Sequence, residues 1–183
     1  GRMQLDESAI LWYAPERERA GRPLIVLLHG YGSHEGDLFS LSPRLPLAAT
    51  VASLRGPIKE SAGYAWWSLA GQNPGQPDPA AVDAGAQAVL DWLDTVDYTT
   101  VALLGFSQGA ALSLQLNRLA PDRFAATVAL SGFVAPGIHA GDAQLEIVRP
   151  PVFWGRGTAD TVIPAAAVDR TEEWLPTHSE PHI

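Results

Sequence analysis

Two rhythms alternate along the hydrophobic positions of this chain. Apolar runs at residues 24–28, 101–104, 125–130 and 151–154 have the length of strands and no polar face, as in a buried parallel sheet. Longer stretches carry apolar residues at helical spacing. Val82, Ala86, Val89, Leu90 and Leu93 predict a helix over 79–96, Leu112, Leu116 and Leu119 predict one over 110–119, and 165–175 reads as the last helix. Further strands are expected at 9–13 and 50–54, with a charged turn at Glu16-Arg17-Glu18-Arg19, and Asp37 is placed to cap a short helix toward Leu45. Residues 55–80 form the longest irregular region, punctuated by Gly56-Pro57, Asn73-Pro74-Gly75 and Pro77-Asp78-Pro79; loops of that length usually have a function. The alternation of strand and helix predicts an α/β domain with a mostly parallel central sheet and helices on both faces.

The stretch Gly105-Phe106-Ser107-Gln108-Gly109 falls between a predicted strand and a predicted helix. A serine at such a turn is held in a strained backbone with its side chain above the sheet, and flanking glycines let the helix and a neighbouring strand approach. The helix aims its N-terminal amides at the serine, where they stabilise a developing anion. This G-x-S-x-G arrangement predicts Ser107 as a nucleophile.

A serine hydroxyl needs a base, and the base needs an orienting acid, which in chains of this kind follow in the order serine, acid, histidine. Asp160, in Gly155-Arg156-Gly157-Thr158-Ala159-Asp160, comes just beyond the strand at 151–154 and is the expected acid. Of the two later histidines, His178 falls near the end of the last helix, where it complements terminal carbonyls, so His182 is the expected base. Returning from that helix to the catalytic edge normally takes a loop and a strand, and residues 176–181 leave little room for both. The C-terminal part is therefore expected to be abbreviated or incomplete. The backbone amides of Gln108 and of Tyr31, in His29-Gly30-Tyr31-Gly32 after the 24–28 strand, are the expected oxyanion donors. His29 ends a buried strand and reads as structural; His34 and His139 read as surface-loop residues.

Length and composition narrow the picture further. The 183 residues suit a single domain over 1–183, and Gly1-Arg2 ahead of Met3 reads as a tag remnant. With no cysteine there is no disulfide, thiolate metal site or cysteine nucleophile. The net charge of −8, with only 12 Lys plus Arg, argues against a nucleic-acid partner. No apolar stretch is long enough for stable membrane insertion, and without a secretory signal pattern the expected compartment is cytoplasmic. The expected chemistry needs neither metal nor organic cofactor. The expected partner is a small-molecule ester, and the sequence does not fix whether the chain forms a homo-oligomer.

Taken together, LLHGYG at 27–32, GPI at 56–58, GYAWWSL at 63–69, GFSQG at 105–109, LSGF at 130–133 and GRGTAD at 155–160 resemble the phospholipase/carboxylesterase family of small α/β-hydrolases, to which acyl-protein thioesterases are related. The resemblance runs from about Leu24 to Asp160. It implies an α/β-hydrolase fold and an esterase with Ser107, Asp160, Tyr31 and Gln108 in the roles above, and it places Trp66 and Phe133, with Tyr31, at substrate-binding positions. It departs from the family at the C-terminus, where His182-Ile183 is all that matches. Too few residues separate the strands at 125–130 and 151–154 for a cap domain, so an open site for short or medium acyl chains is expected. An acyl-protein or acyl-coenzyme A thioesterase would use the same residues, the negative charge mildly disfavouring the latter. A non-catalytic binding protein lacking its base is the alternative of another class.

Overall fold

A computed structural model of the chain describes residues 2–60, 62–71, 73–156 and 163–182, with His182 described by its backbone alone. Along the chain come strands β1 (Leu11–Tyr13), β2 (Arg22–Leu28), β3 (Thr50–Leu54), β4 (Ile58–Glu60) and β5 (Gly63–Ala65), then helix α1 (Pro79–Leu93) and strand β6 (Tyr98–Phe106). Helix α2 (Gln108–Leu119), β7 (Phe124–Leu130), α3 (Asp142–Val148), β8 (Pro151–Gly155), α4 (Ala165–His178) and β9 (Glu180–His182) follow. Seven strands form one sheet in the order β1, β3, β2, β6, β7, β8, β9, and β4 and β5 form a separate hairpin. Among the described residues, only β1 runs antiparallel to its neighbour in the large sheet; the other pairings are parallel.

The apolar runs become strands because parallel pairing satisfies their backbone while their side chains enter the core. Pairing puts Leu28 beside Gly105 and Ala129 beside both Gly105 and Trp154, so these four share a face. A Cβ on Gly105 would strike the Gly109 carbonyl, which identifies that face as the one under α2. α1 packs on α2, where Gly85 approaches Leu112, and α4 reaches it through Trp174, which lies beneath the Arg118 guanidinium at 5.6 Å. The opposite face carries a six-residue 3-10 helix, Phe39–Arg44, whose Phe39 meets Tyr13 edge-on at 6.3 Å. Helices therefore flank the sheet on both sides, but unequally. Between β7 and β8 the chain makes the short helix α3 and no cap domain.

Several expectations shift in detail. Asp37 does not cap a helix: its carboxylate accepts from the Ser33 hydroxyl at 2.9 Å, and the 3-10 helix begins after Leu38 without a side-chain cap. The irregular region 55–80 contains the β4–β5 hairpin. α4 runs through Pro176 to His178, and Ser179 alone joins it to β9. The joint before β9 thus takes one residue, and β9 climbs only as far as Phe153 of β8, short of Gly155 at the carboxyl end.

Candidate active site

β6 is the middle strand of the sheet, and Ser107 follows it directly as the residue before α2. Its backbone stands at φ 57° and ψ −116°, a conformation an L residue adopts only when its surroundings enforce it. The Ser107 N–H donates to Leu130 O at 2.8 Å, while its carbonyl accepts from the amides of Ala110 and Ala111 at 3.0 and 3.1 Å. Gly109 completes the enforcement: any Cβ there would collide with the Leu28 carbonyl, so only glycine lets α2 lie this close to β2. Ser107 is half-buried, and its hydroxyl makes no hydrogen bond among the described residues.

Gln108 opens α2, so its amide has no acceptor within the helix. Its buried side chain is a clamp: Oε1 accepts from the Trp66 amide at 2.7 Å, and Nε2 donates to Trp67 O at 2.8 Å. From there the Trp66 indole N–H donates to His29 O at 2.8 Å. The His29 ring Nε2 accepts from the Gly56 amide at 2.9 Å, which leaves Nδ1 to donate to Gly30 O at 2.7 Å. Burial pushes the His29 pKa below its ordinary 6.5 and keeps the ring neutral, as this pair of bonds requires. One network thus ties the start of α2 to the turn carrying Tyr31. In that turn the amides of Gly32 and Ser33 are bonded to Tyr64 O and Gly30 O, and the Tyr31 amide makes no backbone hydrogen bond among the described residues.

The predicted substrate contacts divide. Tyr31 is exposed, and its hydroxyl donates to Glu60 at 3.1 Å. Trp66 has no exposed surface and is occupied in the His29 network, so it supports the turn from beneath instead of lining a surface. Phe133 is buried under the Arg170 guanidinium, 5.7 Å from its ring. Phe106, which the sequence reading passed over, is exposed beside the nucleophile and lies against Gly30. Its place inside the G-x-S-x-G stretch was the available signal. Asp160 lies outside the described residues. His182 belongs to β9, in register with Phe153 of β8, and its side chain lies outside the described part.

His178 fills the structural role expected for it, with its Nδ1 2.9 Å from Trp174 O and its ring stacked on Trp174 at 4.4 Å. His139 is not a free surface residue. Its Nε2 lies 2.6 Å from the amide nitrogen of Gln115, and its own amide donates to Asp142 at 3.0 Å. Asp142 in turn makes a two-pronged pair with the buried Arg118, at 2.9 Å on each oxygen. Arg118 also donates to Ala135 O at 2.8 Å and Gly137 O at 2.5 Å, fastening the segment after β7 to α2.

A parallel sheet whose middle strand ends in a strained serine at the start of a buried helix defines the α/β-hydrolase architecture. The phospholipase/carboxylesterase family model matches residues 14–182, and the chain belongs to that family. NocK of Nocardia uniformis subsp. tsuyamanensis, whose name designates it an esterase, is 33% identical over 148 residues, which cover 79% of this chain and 42% of NocK. The chain thus spans less than half of that relative's length. Acyl-protein thioesterase 1 of Saccharomyces cerevisiae is 25% identical over 177 residues, covering 78% of this chain and 72% of the thioesterase. The crystal structure of a carboxylesterase from Mesorhizobium loti has the same fold, with a TM-score of 0.77 at 20% identity over 98% of this chain and 88% of that one. Among the described residues no helix is long and apolar enough to cross a membrane.

Proposed function

We propose that this chain is a serine carboxylesterase. Ser107 attacks the ester carbonyl while His182 accepts its proton and Asp160 orients the imidazole. The amides of Tyr31 and Gln108 receive the oxyanion, the alcohol leaves, and water releases the acid through the same groups. The observation that carries this reading is the Ser107 backbone at φ 57° and ψ −116°, where a half-buried hydroxyl with no hydrogen bond among the described residues tops the middle strand. Strand order supports the acid, because the chain leading to Asp160 leaves the carboxyl end of β8. His182 is assigned by the order serine, acid, histidine; β9 carries it level with Phe153 of β8, before that end.

Without a cap domain, little of a substrate is removed from water, and each buried methylene discriminates by only about 1–3 kcal/mol. Short to medium acyl esters are the substrates that fit, with Tyr31 and Phe106 as exposed apolar contacts. Likeness to a yeast acyl-protein thioesterase favours thioesters as the second substrate class at the same site.

Turnover of p-nitrophenyl butyrate against a matched thioester separates the two. Ser107→Ala should lower turnover about a millionfold, roughly 8 kcal/mol. A fluorophosphonate should label Ser107 in the folded protein; if it does not, and esters are left intact, the chain is a binding protein.

A further inference from the structure

Resting on that esterase reading, we propose that Glu60 determines specificity on the acyl side of the site, disfavouring anionic acyl groups and favouring cationic ones. Its placement follows from the β4–β5 hairpin. Lys59 and Glu60 are consecutive on β4 and so leave it on opposite sides. Lys59 pairs with Tyr64 and holds its ammonium 5.9 Å from that ring. Glu60 pairs with Gly63, and residues paired across a hairpin share a side. A Cβ on Gly63 would strike the carbonyls of Gly32 and Ser33, so this is the side facing the turn that carries Tyr31. Two backbone bonds fix the approach: the Gly32 amide donates to Tyr64 O at 2.8 Å, and the Tyr64 amide to Ser33 O at 2.7 Å.

The Glu60 carboxylate thus meets a residue that the proposed reaction uses. It accepts from the Tyr31 hydroxyl at 3.1 Å, and Gly30, one position before Tyr31, stands against the nucleophile: a Cβ there would lie 3.3 Å from the Ser107 Cβ. An acyl chain leaving Ser107 along the exposed Tyr31 ring therefore runs toward the carboxylate at the ring's far end. Among the described residues Glu60 has no ion pair. The neighbouring cations are engaged elsewhere, because Arg55 pairs with Glu35 at 2.7 Å and lies 4.3 Å from the Tyr64 ring, which Lys59 also approaches. A half-buried carboxylate bonded to a neutral phenol keeps its charge, and that charge acts over a Debye length of about 8 Å at physiological ionic strength. Acyl groups at Tyr31 feel it; distant parts of the surface do not.

The test measures kcat/KM on two p-nitrophenyl esters of like acyl length, 4-trimethylammoniobutyrate and 4-sulfobutyrate. The wild-type chain should prefer the cationic ester about three- to tenfold, and about 0.5 M NaCl should shrink that preference. Glu60→Gln, which keeps the side-chain shape and an acceptor for Tyr31, should abolish most of it. Asp37→Asn removes an equal charge that is bonded to Ser33 in place of Tyr31, and should change the preference less. Both esters are read on one enzyme sample, so any loss of folded protein cancels from the ratio. A ratio unmoved by Glu60→Gln overturns the proposal. So does one moved as far by Asp37→Asn, because net charge around the turn and not Glu60 would then select. A wild-type chain that leaves even p-nitrophenyl butyrate intact would instead sink the esterase reading, and this proposal with it.

Discussion

The two faces of the central sheet are built from equally apolar strands and have different fates. On the α2 face, Val26, Leu28, Leu103, Thr127, Ala129, Val152 and Trp154 are each at most 2% exposed. On the other face, from β6 to β8, Ala102, Leu104, Ala126, Val128 and Leu130 are half-exposed, and Phe106 and Phe153 reach 41% and 44%. Over β2 and β3 that same face is covered again, with the Ser53 hydroxyl donating to Glu35 O at 2.5 Å and Leu27 fully buried. The difference teaches that a continuous apolar run records what a strand tolerates, while the helices packed on it decide which face carries the stability. The nucleophile is aligned from the covered side, through the close approach of α2 to β2 and β6.

The strongest way to break this contrast is to unsettle what holds the covered side together. Asp142→Ala leaves the Arg118 guanidinium buried without its partner and should cost about 3–5 kcal/mol in urea unfolding. Burial alone would raise the Asp142 pKa, but the bonds from Arg118 win and hold it below the ordinary carboxylate value. Adjacent positions on β6 sharpen the contrast. Leu103→Ala, on the covered face, should cost about 3 kcal/mol, whereas Leu104→Ala, on the open one, should cost only about 1 kcal/mol. Equal losses would mean that the faces do not differ energetically.

A pH titration reaches the boundary between the regions. His29 has a folded pKa below 6.5, so the unfolded chain takes up its proton first as the pH falls. Its contribution to stability is complete above about pH 6.5 and declines below it; in His29→Gln that part of the pH slope should vanish. The smallest effect belongs to Phe153→Thr, an exposed site on a strand, which should change unfolding free energy by no more than about 0.5 kcal/mol.

Much of the frame was legible because its signals are local. The strand at 50–54 was placed at its true bounds, and the helices at 79–96 and 110–119 within a turn of theirs. The Ser107 bend was readable because glycines must flank it. Features that depend on distant partners were not. α3 has no side-chain cap and only seven residues, too few to establish a periodicity. The last helix, expected over 165–175, runs on to His178, because Pro176 removes only one amide hydrogen and the last turn continues past it. Arg118 lies on a helix where a cation reads as solvent-facing, and only the folded segment from Ala135 to Asp142 supplies its acceptors. The Gln108 clamp on Trp66 and Trp67 spans more than forty positions, which no spacing rule encodes.

The single-residue joint at Ser179 has a mechanical corollary. Its amide and hydroxyl both hold to Leu175 O, at 2.9 and 2.7 Å, and the Glu180 amide holds to Pro150 O at 3.0 Å, so one side of the joint is fixed to α4 and the other to the start of β8. There is no slack to absorb an inserted residue. Adding one between Ser179 and Glu180 would slip β9 against β8 by half a pleat repeat and invert its two sides, so this joint tolerates substitution far better than lengthening.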